Sequence, residues 1–248
     1  MQLPKKIKNC PIVEVICEIR FEPNVDSDAV FGMILREVRD RYPTIEKLPI
    51  LQIPEDIRNK APNLIYQPHY RLSATSDFAI QIGPRVVSIL NKNRYPGWEL
   101  FYSEIQYVIQ SLQKLDIITI LKRVGLRYVN FFEEMDIFSK LELKISFSSE
   151  NNPNHIMNQR RQTHLNTQVD LADNFIGNVN IANNGTLQSG VSQEIKTGSL
   201  LDIDIFLESN ALEFTMLETH INSAHSLEKN VFFNVLKADF IQQLAPEN

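Results

Sequence analysis

Residues 11–23 read PIVEVICEIRFEP, and no other stretch limits the fold as tightly. Val13, Val15, Cys17, Ile19 and Phe21 alternate with Glu14, Ile16, Glu18, Arg20 and Glu22. Side chains of a strand point to opposite faces in turn, so this pattern is one apolar face and one mainly polar face. An apolar face must be covered by a second layer. The charged row on the other side is then either solvated or a binding surface.

The following residues supply that layer. Asp26, Ser27 and Asp28 offer caps, and Val30, Phe31, Ile34, Leu35 and Val38 recur at helical spacing, which predicts a helix over 27–41. Tyr42-Pro43 ends it, because the residue before proline avoids the α region. Prolines break residues 43–68 into loop with short extended pieces. Strands are expected at 69–74, 78–82 and 85–91, as an antiparallel meander, and Trp98, Phe101, Ile105, Val108 and Leu112 mark a helix to about 114.

The second half repeats the outline. Strands are expected at 117–132, 141–148, 162–171, 175–182 and 200–208, with a polar loop, SSENNPNHIMNQRR, after the second of them. Asn184-Gly185 reads as a hairpin turn, since both residues tolerate positive φ. A helical region spans 213–244, its apolar stripe interrupted near Ser226–Lys229. The expected fold is α+β: two degenerate β-α-β-β-β-α halves, 1–115 and 116–248, joined as one compact unit. Their strands form a curved, mainly antiparallel sheet with helices on one face.

The 43% hydrophobic share, 22% charged share and 14 Phe of this 248-residue chain suit a folded protein with its own core. Two cysteines, Cys10 and Cys17, are too few for a metal set, and seven residues of extended chain separate them beyond disulfide reach. The start, MQLPKKIKNC, lacks the apolar run of a secretory signal, and no stretch approaches a membrane span, so a cytoplasmic location is expected. Net charge is −5, and residues 201–248 hold eight acids against Lys229 and Lys237. That balance argues against general nucleic-acid binding. Lys5, Lys6 and Lys8, and Arg160 and Arg161 with His164, read as solvated surface runs.

A second informative segment is KRVGLRYVNFF, residues 122–132. Val124, Leu126, Tyr128 and Asn130 share one side; Arg123, Gly125, Arg127, Val129 and Phe131 share the other. Glycine in a strand signals a bend or a close neighbour. Placed beside the first strand, Arg127 is expected to meet Glu14 or Glu18 across the ladder. PIVEVICEIRF, the RYP closing the first helix, and GLRYVN together resemble a sporadically distributed, uncharacterised bacterial protein family of about this length. The resemblance implies no catalytic residue; a patchy bacterial distribution is compatible with phage-defence gene neighbourhoods.

Two functional readings follow. In the first, the chain is a non-catalytic binding or regulatory module whose open sheet face, around Glu14, Glu18, Arg20, Arg127, Tyr128 and Asn130, contacts a partner protein or small ligand. The bland counterpart for the charged members is a structural ion-pair network. In the second, Asp202 and Asp204, which share a strand face, hold a divalent cation for a hydrolase or nuclease; such a pair is more commonly the wet side of a strand. Glu14 and Glu18 lie roughly 13 Å apart along a strand, too far for a glycosidase pair. His220 and His225 do not share a helix face as zinc ligands would, and His225, beside the apolar stripe, is expected to pack with a hydrogen bond. GxSxG, P-loop and GxGxxG patterns are absent. No cofactor is implied, and a homodimer is the commonest oligomer to expect.

Overall fold

The computed structural model describes residues 3, 4, 6–74, 77–143, 160–188 and 195–247. Its centre is the long antiparallel pair of β2 (Ile12–Pro23) and β7 (Ile118–Glu133), with Val15 opposite Tyr128, Cys17 opposite Leu126 and Ile19 opposite Val124. From β2 the sheet runs outward through β6 (Val86–Asn91), β5 (Phe78–Gly83), β4 (Tyr70–Ser73) and β3 (Thr44–Lys47). From β7 it runs through β10 (Ile195–Leu212), β9 (Ile176–Gln188) and β8 (His164–Asp170). All the pairings in this nine-stranded sheet are antiparallel. The α+β architecture expected from the alternation is therefore present.

Val15, Cys17, Ile19 and Phe21 are fully buried, as the first strand's pattern requires. Helices α1 (Ser27–Val38), α3 (Trp98–Leu115) and α4 (Leu217–Val235) contribute to the same apolar core, α3 against β6 and α4 against β7 and β10. Asp26 caps α1 by accepting from the Asp28 amide, and Val30, Ile34 and Val38 form its buried stripe. The RYP segment ties α1 to α3: Arg41 Nη2 and the Tyr42 hydroxyl both donate to the fully buried Glu104 carboxylate, and Arg41 lies over the Tyr107 ring. Burial, then the hydrogen bond to Glu104, pushes the Tyr42 phenol well above its ordinary pKa.

Several boundaries differ from expectation. Residues 43–68 include an edge strand, β3, and a single helical turn, α2 (Glu55–Arg58). Residues Ile137–Lys140 form a 3-10 turn, and Leu141 makes one bridge to Leu236 where a strand was expected; 144–148 lie outside the described residues, as does most of the polar loop. Asn184-Gly185 is not a hairpin turn. It lies inside β9, where the register against β10 shifts between Gly198 and Leu200, and Asn184 takes φ 51°. Positive φ was correctly legible there, but it serves a bulge. The C-terminal helical region breaks at Leu236, which is extended, before α5 (Ala238–Gln243), and the interruption expected near Ser226–Lys229 leaves α4 continuous. A short ribbon of β1 (Lys6–Ile7) and β11 (Pro246–Glu247) joins the two ends of the chain.

Candidate functional site

The face opposite the helices carries the charged row of β2. Register places Ile16 opposite Arg127 and Arg127 opposite Asp204, with Gly125 between Glu18 and Phe206. Arg123 is the hub: Nη1 donates to Glu18 Oε1, and Nη2 donates to Asp204 Oδ2 at 2.7 Å, while its guanidinium covers the Phe206 ring. Gly125 makes this crossing feasible, because a Cβ there would sit 2.5 Å from Arg123 Nη1. The glycine is thus explained by a close neighbour and not by a bend. Arg20 Nε lies 2.8 Å from Glu18 Oε1, a charge contact without hydrogen-bond geometry.

Arg127 does not pair with Glu14 or Glu18. It forms a two-pronged pair with Asp202, Nε to Oδ1 at 2.7 Å and Nη2 to Oδ2 at 2.8 Å, although Glu14 is close enough to contribute to its field. The strand beyond β7 was thus the source of its partner, which no local spacing indicates. Asn180 Nδ2 stands 3.5 Å from Asp202, and amide pairs Asn166–Asn180 and Gln168–Asn178 extend the polar face to the sheet edge. Asp202 and Asp204 are therefore engaged by arginines, and among the described residues no group of three or more His, Cys, Asp or Glu is placed to hold a metal ion.

Tyr128 and Asn130 are not on this open face, contrary to the grouping expected from sequence. Each is about 1% exposed on the helix-covered side. The reason is the register: Tyr128 lies opposite Val15 and Ile203, both core residues. There they line a cavity of about 940 Å³. Besides these two β7 residues, its walls are the N-terminal segment with β1, residues 94–97 and the first turn of α3, the second half of α4, and Glu247 of β11. Ligand sites in folded proteins commonly fall in this size range, with mostly apolar walls and a few polar groups.

The polar groups come from α4 and β7. His225 Nδ1 lies 3.2 Å from the Tyr128 hydroxyl, and its ring stacks on Trp98 at 3.8 Å and 9°. Burial, reinforced by Lys229, lowers the His225 pKa to about 4, so the ring is neutral. Its packing and hydrogen bond match the sequence reading. Tyr95 stands edge-on to Tyr128, with centroids 5.7 Å apart. Glu228 is 5% exposed, and its carboxyl makes no hydrogen bond or ion pair to another described residue. Burial pushes its pKa up to about 8, against the opposing charge of Lys229, so the group is mainly a neutral acid near pH 7. Burial likewise raises the Cys10 thiol.

Sequence reasoning missed Glu228 and Tyr95, and read Lys6 and Lys8, which line the cavity, as a solvated run. A signal existed: Leu217, Ile221, Ala224, Glu228 and Phe232 are the buried positions of α4, so a carboxyl occupies a core position of an apolar stripe. The apparent interruption of the stripe is the site itself. The chain matches no family model and no curated protein.

Proposed function

We propose that the protein is a non-catalytic binding module that takes a small ligand into the cavity beneath α4. The observation carrying this reading is the Glu228 carboxyl, buried at the cavity wall with no hydrogen-bond partner among the described residues. Its oxygens are not among the sealed, unpartnered atoms, so they open onto the cavity, where a ligand can supply the hydrogen bonds that no described residue gives. The cavity's thiol, Cys10, is held by burial in its poorly nucleophilic form, and the His225 ring is already engaged by Trp98 and Tyr128. These features favour binding over covalent chemistry.

The open face supports a scaffold role. Glu18, Arg123 and Asp204, and Arg127 with Asp202, satisfy one another and so offer few free charges to a partner. The same pairing weighs against a metal-dependent hydrolase at Asp202 and Asp204. A regulatory role in a phage-defence locus is part of the proposal, and gene neighbours lacking any recognisable effector would remove it. The direct test is a thermal-shift screen of a metabolite library on wild type and on Tyr95→Ala. A ligand raises the melting temperature in proportion to the logarithm of its concentration above Kd. The expected result is at least one such compound, with the shift reduced in Tyr95→Ala; a library that leaves the wild-type melting temperature unchanged would sink the reading.

A further inference from the structure

The cavity beneath α4 is polar in two different ways at two depths. Inside, Glu228 and Asn130 present hydrogen-bonding groups, Asn130 already donating one N–H to the Leu201 carbonyl, while the Tyr128 hydroxyl and His225 Nδ1 engage each other. None of the four needs to carry a charge near neutral pH: the histidine is neutral and the carboxyl mainly protonated. Toward solvent, the same cavity is lined by Lys6, Lys8, Arg94 and Lys229, of which the first three are exposed. None of these cations forms an ion pair with another described residue. Glu99 and Glu247 also line the cavity, so cations outnumber exposed acids there. The aromatic rings of Tyr95 and Phe233 complete its walls.

Three simple ligand classes fit this arrangement poorly. A purely apolar molecule would leave Glu228 unsatisfied. An ammonium compound would gain Glu228 as a counter-ion but would have to pass the lysines and sit beside Lys229. Inorganic phosphate would suit the mouth and leave the interior unfilled. A molecule with a planar hydrogen-bonding ring at one end and an anion at the other meets both depths: neutral donors and acceptors read the edge of such a ring, aromatic walls pack on it, and Lys and Arg hold phosphate.

We propose that the ligand of this cavity is a free mononucleotide, with its base edge hydrogen-bonded at Glu228 and Asn130 and its phosphate held at the mouth by Lys8 and Arg94. This rests on the binding-module reading above and adds the ligand's class to it. In the protonated form Glu228 can both donate through O–H and accept through C=O, the pairing a base edge offers. The mouth contacts are electrostatic and weaken with salt, whereas the interior contacts do not.

The test is isothermal titration of the full chain with nucleoside 5′-monophosphates, the parent nucleosides, inorganic phosphate and tyramine as an aromatic amine. At least one monophosphate is expected to bind about tenfold more tightly than its nucleoside at low salt, a modest ratio for two charge-assisted contacts at an exposed mouth. Lys8→Ala with Arg94→Ala, both exposed positions, is expected to erase that difference while leaving the melting temperature near wild type. Glu228→Gln keeps one donor and one acceptor and is expected to retain binding. Above about pH 8 the wild type should lose roughly tenfold in affinity per pH unit, and the Gln variant should not. The groups facing Glu228 are Cys10, Tyr95 and Tyr128, all raised by burial, and on its own helix His225 and Lys229. A nucleoside binding as tightly as its monophosphate, tyramine binding better than any monophosphate, or a folded Glu228→Gln that no longer binds would each overturn the proposal. If no monophosphate binds but the metabolite screen finds another compound, the ligand class fails and the cavity reading stands; if both are blank, both fail.

Discussion

Replacing Glu228 by Gln should stabilise the protein, and the gain should grow with pH. In the unfolded chain a glutamate titrates near 4.5, and in the fold burial moves this group to about 8. Between those values the native state holds a proton that the unfolded chain has released. The contribution of this group to stability therefore falls as pH rises through that window, by about 1.4 kcal/mol per pH unit. At pH 7 the accumulated penalty is about 3 kcal/mol, a large share of the 5–15 kcal/mol typical of a domain. Gln has nearly the same shape and no such titration, and whatever its amide costs in the cavity does not vary with pH. Urea denaturation of both proteins at several pH values measures the difference directly. The gap is expected to widen by about 3.5 kcal/mol between pH 5 and pH 8, in favour of Glu228→Gln. Two parallel stability curves over that range would refute the reasoning, for they would mean that the carboxyl ionises freely.

On the acid side, His69 and His225 have pKa values lowered to about 4, chiefly by burial, so the stability they contribute should be lost as pH falls from about 6.5 to 4, against the opposite trend of Glu228, and His225→Gln should remove its share of that loss in the same titration. Gly125→Ala should destabilise by about 1–3 kcal/mol by displacing the Arg123 guanidinium, and with Arg123→Ala the two effects should fall short of additive, since the methyl group then has room; additive losses in urea would show that the two residues do not share space. Arg127→Ala leaves Asp202, 5% exposed, without its bidentate partner, and should cost about 2–4 kcal/mol in the same assay. Tyr42→Phe removes one of the two donors to the buried Glu104 and should cost about 1–3 kcal/mol, with α1 the first element to lose amide protection in hydrogen exchange.

Particular elements show where sequence reading succeeded. The alternation of β2 names the buried face correctly at Val15, Cys17, Ile19 and Phe21, because a strand's side-chain period is a local property of the backbone. The stripe of α1 and its Asp26 cap are local in the same sense. Asn184 was legible as a residue able to take positive φ, yet whether that becomes a turn or a bulge depends on β10, its partner in the ladder. The break in the C-terminal helices at Leu236 depends on its bridge to Leu141, nearly a hundred residues earlier.

The sequence by itself determined which residues alternate, which recur at helical spacing, and hence an α+β chain with a charged strand face; those follow from periods of two and 3.6 residues that each segment carries alone. Tertiary structure decided how the strands pair across the sheet, and with it every partner on that face: Arg127 with Asp202, Arg123 with Glu18 and Asp204. It also decided that Tyr128 and Asn130 turn inward, and that Glu228 meets them at a cavity assembled from both ends of the chain. Charge and hydrogen-bond partners are set by distances between segments far apart in sequence, and only the packed sheet and helices fix those distances.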